Sequence, residues 1–261
     1  MAQIPQLMNG NRLIHDAVSE KQWVSRSPAT YVDLFSDFIQ DVGESLNLPF
    51  VYTESGGSSA QSGNFIDAPD GVFRLLHTSA NDTESCLLSL GGTNAISSTK
   101  EVVFEARVKI TLDTDSVFDA GSNYLVCVGM ATAGTPVGHA ASTWDSATRN
   151  VGFQLGSDSG TLSIFLESDD GVTDTDDKDS GIDFVSGTYV TLKIDMTDTS
   201  KVLFYIDGVL ANNGNTFDMS ALVAGDYLEP YILFARTADG ASTERAHAMD
   251  IDYVKCTWKR S

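Results

Sequence analysis

Cationic side chains are scarce: 16 Lys and Arg stand against 36 Asp and Glu in 261 residues, a formal net charge of −20. Nucleic-acid binding replaces condensed counterions with protein cations, so a surface this acidic repels phosphates, and no nucleic-acid partner is expected. Anionic membrane surfaces are disfavoured for the same reason. The balance suits a solvated surface, cation binding or docking onto a basic partner. Cysteine is sparse as well. Cys86, Cys127 and Cys256 each sit in an apolar run, which predicts buried thiols rather than a disulfide framework. An odd number fits synthesis in a reducing cytoplasm. Long apolar runs are missing: the longest obvious one, Tyr124 to Ala131, includes a glycine and falls short of the ~18 residues of a membrane span. The opening residues show no basic segment followed by an apolar one, so no export signal is expected.

Signatures of common catalytic chemistry are also absent. His15, His77, His139 and His247 share no motif with a cysteine or a carboxylate pair, and no His-Glu-x-x-His or Cys-x-x-Cys spacing supports zinc. Gly156-Ser157-Asp158-Ser159-Gly160 has Asp where a nucleophile elbow needs Ser, and it reads as a hairpin turn. No glycine loop followed by Lys-Ser/Thr is present to cradle a phosphate.

What the chain does have is β-pattern. From about residue 49, short Val, Ile, Leu, Phe and Tyr runs alternate with Gly, Ser, Asn, Asp and Thr clusters. Phe104, Ala106, Val108 and Ile110 alternate with Glu105, Arg107 and Lys109, and Leu192, Ile194 and Met196 with Thr191, Lys193 and Asp195. One dry and one wet face on many strands argues for two packed antiparallel sheets. Asp207-Gly208, between apolar runs, is a strong two-residue hairpin signal, because both central turn positions need positive φ. Ahead of this lies a polar N-terminal arm. A helix is expected to follow, capped by Ser27, opened by Pro28, carried by Leu34, Phe35, Phe38, Ile39 and Val42, and ended by Gly43. The expected organisation is an arm and short helix over 1–45 and an all-β, two-sheet antiparallel jelly-roll sandwich over 46–261.

Three segments carry a family resemblance: Val103-Phe104-Glu105-Ala106-Arg107-Val108-Lys109-Ile110, Phe204-Tyr205-Ile206-Asp207-Gly208, and Ile251-Asp252-Tyr253-Val254. In this order they resemble an early strand, a hairpin and the closing strand of the concanavalin A-like lectin/glucanase superfamily, which includes laminin-G-like modules. The glucanase branch places its paired acids on a central strand. A retaining pair would stand about 5–5.5 Å apart. The corresponding strand here, Asn123 to Met130, holds no carboxylate, so the resemblance implies the non-catalytic branch. A looser resemblance, to structural and decoration proteins of tailed bacteriophages, rests on Asp33-Leu34-Phe35-Ser36-Asp37-Phe38 and on Asp70-Gly71-Val72-Phe73-Arg74-Leu75.

Three groups of residues are candidates for function. Trp144, with His139 and Arg149 nearby, lies in a Gly/Ser/Thr-rich segment and could stack on a sugar, though a tryptophan packed at an edge or a subunit contact reads the same way. Asp169, Asp174, Asp176, Asp177 and Asp179 crowd an acidic stretch expected to be a loop; calcium takes six to eight oxygens, and a solvated loop is the alternative. Asp113, Asp115 and Asp119 form a weaker cluster of the same kind. Trp23, Tyr31, Phe35 and Phe38 are the anchors expected to order the arm on assembly. These readings predict a non-enzymatic virion protein without a required cofactor. It would dock on the major capsid or other virion proteins as a homo-oligomer, with a trimer the expected state. A lectin-like glycan-binding module is the alternative, and a glycoside hydrolase with relocated acids comes last.

Overall fold

The computed structural model describes residues 7–8, 11–15, 23–26, 31–36, 50–56, 61–66, 71–77, 84–92, 96–111, 124–132, 147–158, 161–236 and 247–260. The strands, in chain order, are β1 (Leu7–Met8), β2 (Asn11–His15), β3 (Trp23–Arg26), β4 (Tyr31–Ser36), β5 (Val51–Gly56), β6 (Gln61–Ile66), β7 (Val72–His77), β8 (Glu84–Ser89), β9 (Ile96–Ser97) and β10 (Val102–Thr111). They continue with β11 (Tyr124–Thr132), β12 (Asn150–Asp158), β13 (Thr161–Asp169), β14 (Asp174–Asp183), β15 (Tyr189–Met196), β16 (Leu203–Ile206), β17 (Val209–Leu210), β18 (Tyr227–Arg236) and β19 (His247–Lys259).

Two antiparallel sheets form a sandwich, as the alternation predicts. The back sheet runs β17-β16-β15-β10-β19-β7-β6, and the front sheet runs β14-β13-β12-β11-β18-β8-β5. One long strand of each sheet, β19 and β18, has two short partners along one side. β19 pairs with β7 through His247 to Ile251 and with β4 through Val254 to Lys259. β18 pairs with β8 and, at its start, with β9. β1, β2 and β3 form a separate three-stranded sheet.

Between the main sheets lies one core. Buried and half-buried residues alternate along β10, and the even-numbered side chains from Phe104 to Ile110 point inward. Phe204 meets Phe153 of the other sheet and Phe217 edge-on, with centroids 5.3 and 4.7 Å apart. The central strands of the front sheet, β8, β11 and β18, are dry on both faces. Leu87, Leu125, Cys127, Tyr231 and Leu233 form a second buried cluster on the side turned away from the core. That is why Tyr124–Ala131 and Tyr231–Ala235 are continuous apolar runs rather than alternating ones. The three cysteines are buried and free, as expected. A polar clasp joins the sheets. His77 on β7 meets Glu84 on β8 at 3.1 Å through Nδ1, while Nε2 lies 2.9 Å from the Phe234 carbonyl. All of it is sealed from water.

Two local expectations are corrected. Within the segment read as helix, residues 31–36 form strand β4, with Leu34 opposite Cys256 and Val32 opposite Trp258, while 27–30 and 37–43 lie outside the described residues. Leu34, Phe35 and Phe38 recur at helical spacing, but aromatic and branched residues fit a pleated surface well, and an open flank of β19 supplies backbone partners. The acidic stretch is not a loop. Residues 174–183 pair with β13 as an edge strand, through register shifts between Ser163 and Phe165 and between Leu166 and Ser168. An edge strand with a wet face tolerates Asp, and charge there discourages pairing with other chains. The Asp207-Gly208 hairpin forms as expected: φ is +49° and +78°, and Ile206 pairs with Val209.

Candidate functional site

Three connections meet at one end of the sandwich, and two buried or half-buried acids hold them together. The first follows β11 and returns through Ala147 to β12. Thr132 staples its ends: its N–H and hydroxyl donate to the Arg149 carbonyl at 2.9 and 3.1 Å, and the Arg149 N–H donates back to Oγ1 at 2.9 Å. The second is the tight turn between β13 and β14. Asp170, 1 % exposed, accepts from the Val172 and Thr173 N–H groups through Oδ1 and from the Ala221 N–H through Oδ2. Asp170 thus ties the turn to the third connection, residues 211–226, which leads into β18. There Asp226 accepts from the Val223 N–H at 2.8 Å, and its own carbonyl accepts from Ser98 at 3.0 Å.

Arg149 sits where the three converge. Its Nε lies 3.1 Å from Asp226 Oδ2, an ion pair without hydrogen-bond alignment, and the Arg149 side chain is one-quarter exposed. Gly171 lies against the guanidinium; a Cβ there would stand 3.7 Å from Cζ, and its φ of +84° suits glycine. Around the pair, the chain places apolar groups in solvent: Val172 beside Gly171, and Val223 and Tyr227 flanking Asp226, at 82, 60 and 50 % exposure. An exposed phenol ring can stack on a sugar ring, and a planar donor fork and a carboxylate can bond its hydroxyls.

Of the sugar candidates read from sequence, Arg149 therefore belongs to this end. Trp144 and His139 lie outside the described residues, within the same β11–β12 connection. The acidic residues are spread rather than gathered. Asp169 and Asp174 are opposite one another across the turn, Asp169 accepts from the Gly171 N–H, Asp177 from Gln154 Nε2 and Asp179 from the Gly181 N–H, and Asp176 is exposed. Among the described residues no group of three His, Cys, Asp or Glu side chains is placed to hold a metal ion. Asp113, Asp115 and Asp119 lie outside the described residues. Of the assembly candidates, Trp23 stands opposite His15 in β3, and Tyr31 and Phe35 lie in β4 opposite Lys259 and Lys255; Phe38 is outside the described residues. β11, where the resemblance would place paired acids, carries none. Glu167 and Asp169 do share a face of β13, but Glu167 is 2 % exposed.

Sequence reasoning missed Asp226 and Tyr227, and it read Asp170 only as part of the acidic stretch. Asp170-Gly171 is a turn signal, and Gly225-Asp226 precedes an aromatic strand start, but only the fold brings these positions to Arg149.

No protein-family model matches this chain, and no curated protein matches it in sequence. Solved structures do match in shape. The fold is a two-sheet jelly-roll sandwich. The carbohydrate recognition domain of Emp47p superposes with a TM-score of 0.55 at 10 % identity, covering 90 % of this chain and 100 % of that one. A protein of unknown function from Shewanella oneidensis MR-1 matches with a TM-score of 0.50 at 15 % identity, over 88 % of this chain and 87 % of its own. The winged bean acidic lectin complexed with methyl-α-D-galactose matches at 0.49 and 10 % identity, over 88 and 100 %.

Proposed function

We propose that this chain is a non-catalytic, lectin-like carbohydrate-binding module whose site is the loop end around Arg149 and Asp226. The observation that carries the reading is the shared fold with a carbohydrate recognition domain over that domain's whole length. The loop end supports it with suitable chemistry: an exposed aromatic ring, a half-buried guanidinium held by a carboxylate, and apolar side chains exposed on the same connections. The acid pair of a retaining hydrolase is missing from β11, which favours binding over cleavage. A virion structural role stood first on sequence grounds; the loop end and the fold favour the glycan reading.

The test is a glycan array, run with calcium and with chelator, followed by titration of the best ligand. Tyr227→Ala and Trp144→Ala are each expected to weaken binding about tenfold, roughly 1.4 kcal/mol, the scale of one lost aromatic contact. A blank array under both conditions would sink the proposal. So would release of reducing ends from a bound polysaccharide, which would make the chain a hydrolase.

A further inference from the structure

The outer face of the back sheet carries a repeated charge pattern. Antiparallel register sets its side chains in lateral rows. One row runs Arg74, Asp250, Lys109, Tyr189 across β7, β19, β10 and β15. Another runs Lys255, Glu105, Lys193, Tyr205 across β19, β10, β15 and β16. Each reads cation, anion, cation, tyrosine. In each, the last ammonium lies over the ring, with Lys109 Nζ 4.8 Å from the Tyr189 centroid and Lys193 Nζ 5.0 Å from that of Tyr205. Between the rows a register shift in β19 lets Asp252 and Tyr253 both turn outward. Asp252 pairs with Arg107, and the Tyr253 hydroxyl donates to Glu105 at 2.9 Å.

The acids lie beneath the cations. Arg74 grips Asp250 through Nε and Nη2 at 2.6 and 2.9 Å, and Lys109 adds a contact at 2.9 Å. The Asp250 side chain is only 1 % exposed, whereas Arg74 keeps 36 % and Arg107 30 %. Solvent therefore meets guanidinium, ammonium and phenol edges. Arg74, Arg107, Lys109, Lys193, Lys255 and Lys259 put six of the chain's 16 cations here, against Asp33, Glu101, Glu105, Asp195, Asp250 and Asp252 of its 36 acids, so the face is locally balanced on a chain of net charge −20. Arg and Tyr are enriched at protein interfaces. Arg74, Arg107 and Lys109 are already held by ion pairs and Lys193 by a ring, so docking costs them little rotamer entropy.

The geometry points to this face as the docking surface for a second copy of the chain. Beyond the face, the chain is strongly acidic and offers the complementary charge. The matching surface is β14, a free edge of the front sheet among the described residues, with exposed Asp174, Asp176, Asp177 and Asp179. Face and edge are different patches, so the contact is heterologous and builds a ring or an open array. At about 0.15 M salt the Debye length is ~8 Å, which screens the net repulsion between copies while contacting pairs survive.

Light scattering after size exclusion tests this at about 0.15 M and about 1 M salt. The proteins are the wild-type chain, a face variant (Lys193→Glu with Lys255→Glu), an edge variant (Asp176→Lys with Asp177→Lys) and their equal mixture. Circular dichroism confirms that each is folded. The wild type is expected to associate at the lower salt and dissociate at the higher. Each variant alone is expected to be monomeric, and the mixture to associate again, because each supplies what the other has lost. A wild type monomeric at both salts overturns the proposal, as does an edge variant that still associates or a mixture of folded variants that stays monomeric. Retention of a monomeric wild type on a sulfated polysaccharide would reassign the face to a polyanion.

Discussion

At Asp250, burial and charge pull in opposite directions. Burial pushes its carboxyl up, but the hydrogen bonds and charges of Arg74 and Lys109 outweigh that and hold it below the ordinary value of 3.8. A carboxylate whose pKa is depressed by folding stabilises the native state above that ordinary value, and the stabilisation is lost as pH falls through the folded value. Asp250→Asn is therefore expected to cost about 1–2 kcal/mol at neutral pH. That is the lower range for a hydrogen bond to a charged group, reduced because Arg74 and Lys109 reach solvent. Urea unfolding of both proteins, repeated in steps below pH 3.8, should show the gap closing. A gap that widens in acid would mean that the pair does not stabilise the fold. Buried thiols show the simpler case. Burial alone pushes Cys256 far up, and burial first pushes Cys86 up to about 11, so neither is primed as a nucleophile.

At the scale of the element, sequence legibility followed partnership. β7 and β18 appear in the sequence as apolar runs and β15 as strict alternation, and the Asp207-Gly208 turn declares itself, because these depend on residues close in the chain. β4 and β14 do not, because each exists only by pairing with a distant or irregular neighbour: β4 with β19, and β14 with β13 through register shifts. The loop end was legible only as Arg149 and its tryptophan-bearing segment; Asp226 and Tyr227 come from a connection some eighty residues later. Two glycines separate local from tertiary need. At Gly129 a Cβ would stand 2.3 Å from the Val151 carbonyl oxygen, a backbone atom that cannot swing away. At Gly208 nothing lies within 4 Å, and only the φ of +78° resists. Gly129→Ala is expected to cost about 2–3 kcal/mol or more through overpacking. Gly208→Ala should cost about 1 kcal/mol through conformation alone. Thermal unfolding of the two variants should rank them in that order, and the reverse ranking would show that β11 and β12 yield easily.

For the whole molecule, composition excluded more than it assigned. A net charge of −20 speaks against nucleic acid, yet says nothing about which face is different, and the back sheet's cationic rows become visible only once register is known. The arrangement of β19 has a further consequence, for time rather than stability. That strand is central to the back sheet, and its two flanking partners on one side come from the opposite end of the described chain, with Ser36 beside Val254 and Phe73 beside Ile251. Loop-closure entropy must be paid before such contacts return anything, and all-β chains with non-local pairing fold over roughly milliseconds to seconds. Stopped-flow refolding from urea, followed by fluorescence of tryptophans including Trp258, which packs against the core, should recover its native signal on the order of seconds. Full recovery within about a millisecond would mean that the sheet nucleates locally and adds its closing strand almost freely. Opening runs at the closing rate divided by the equilibrium constant, so a sandwich that closes slowly also opens more slowly than a locally paired fold of equal stability.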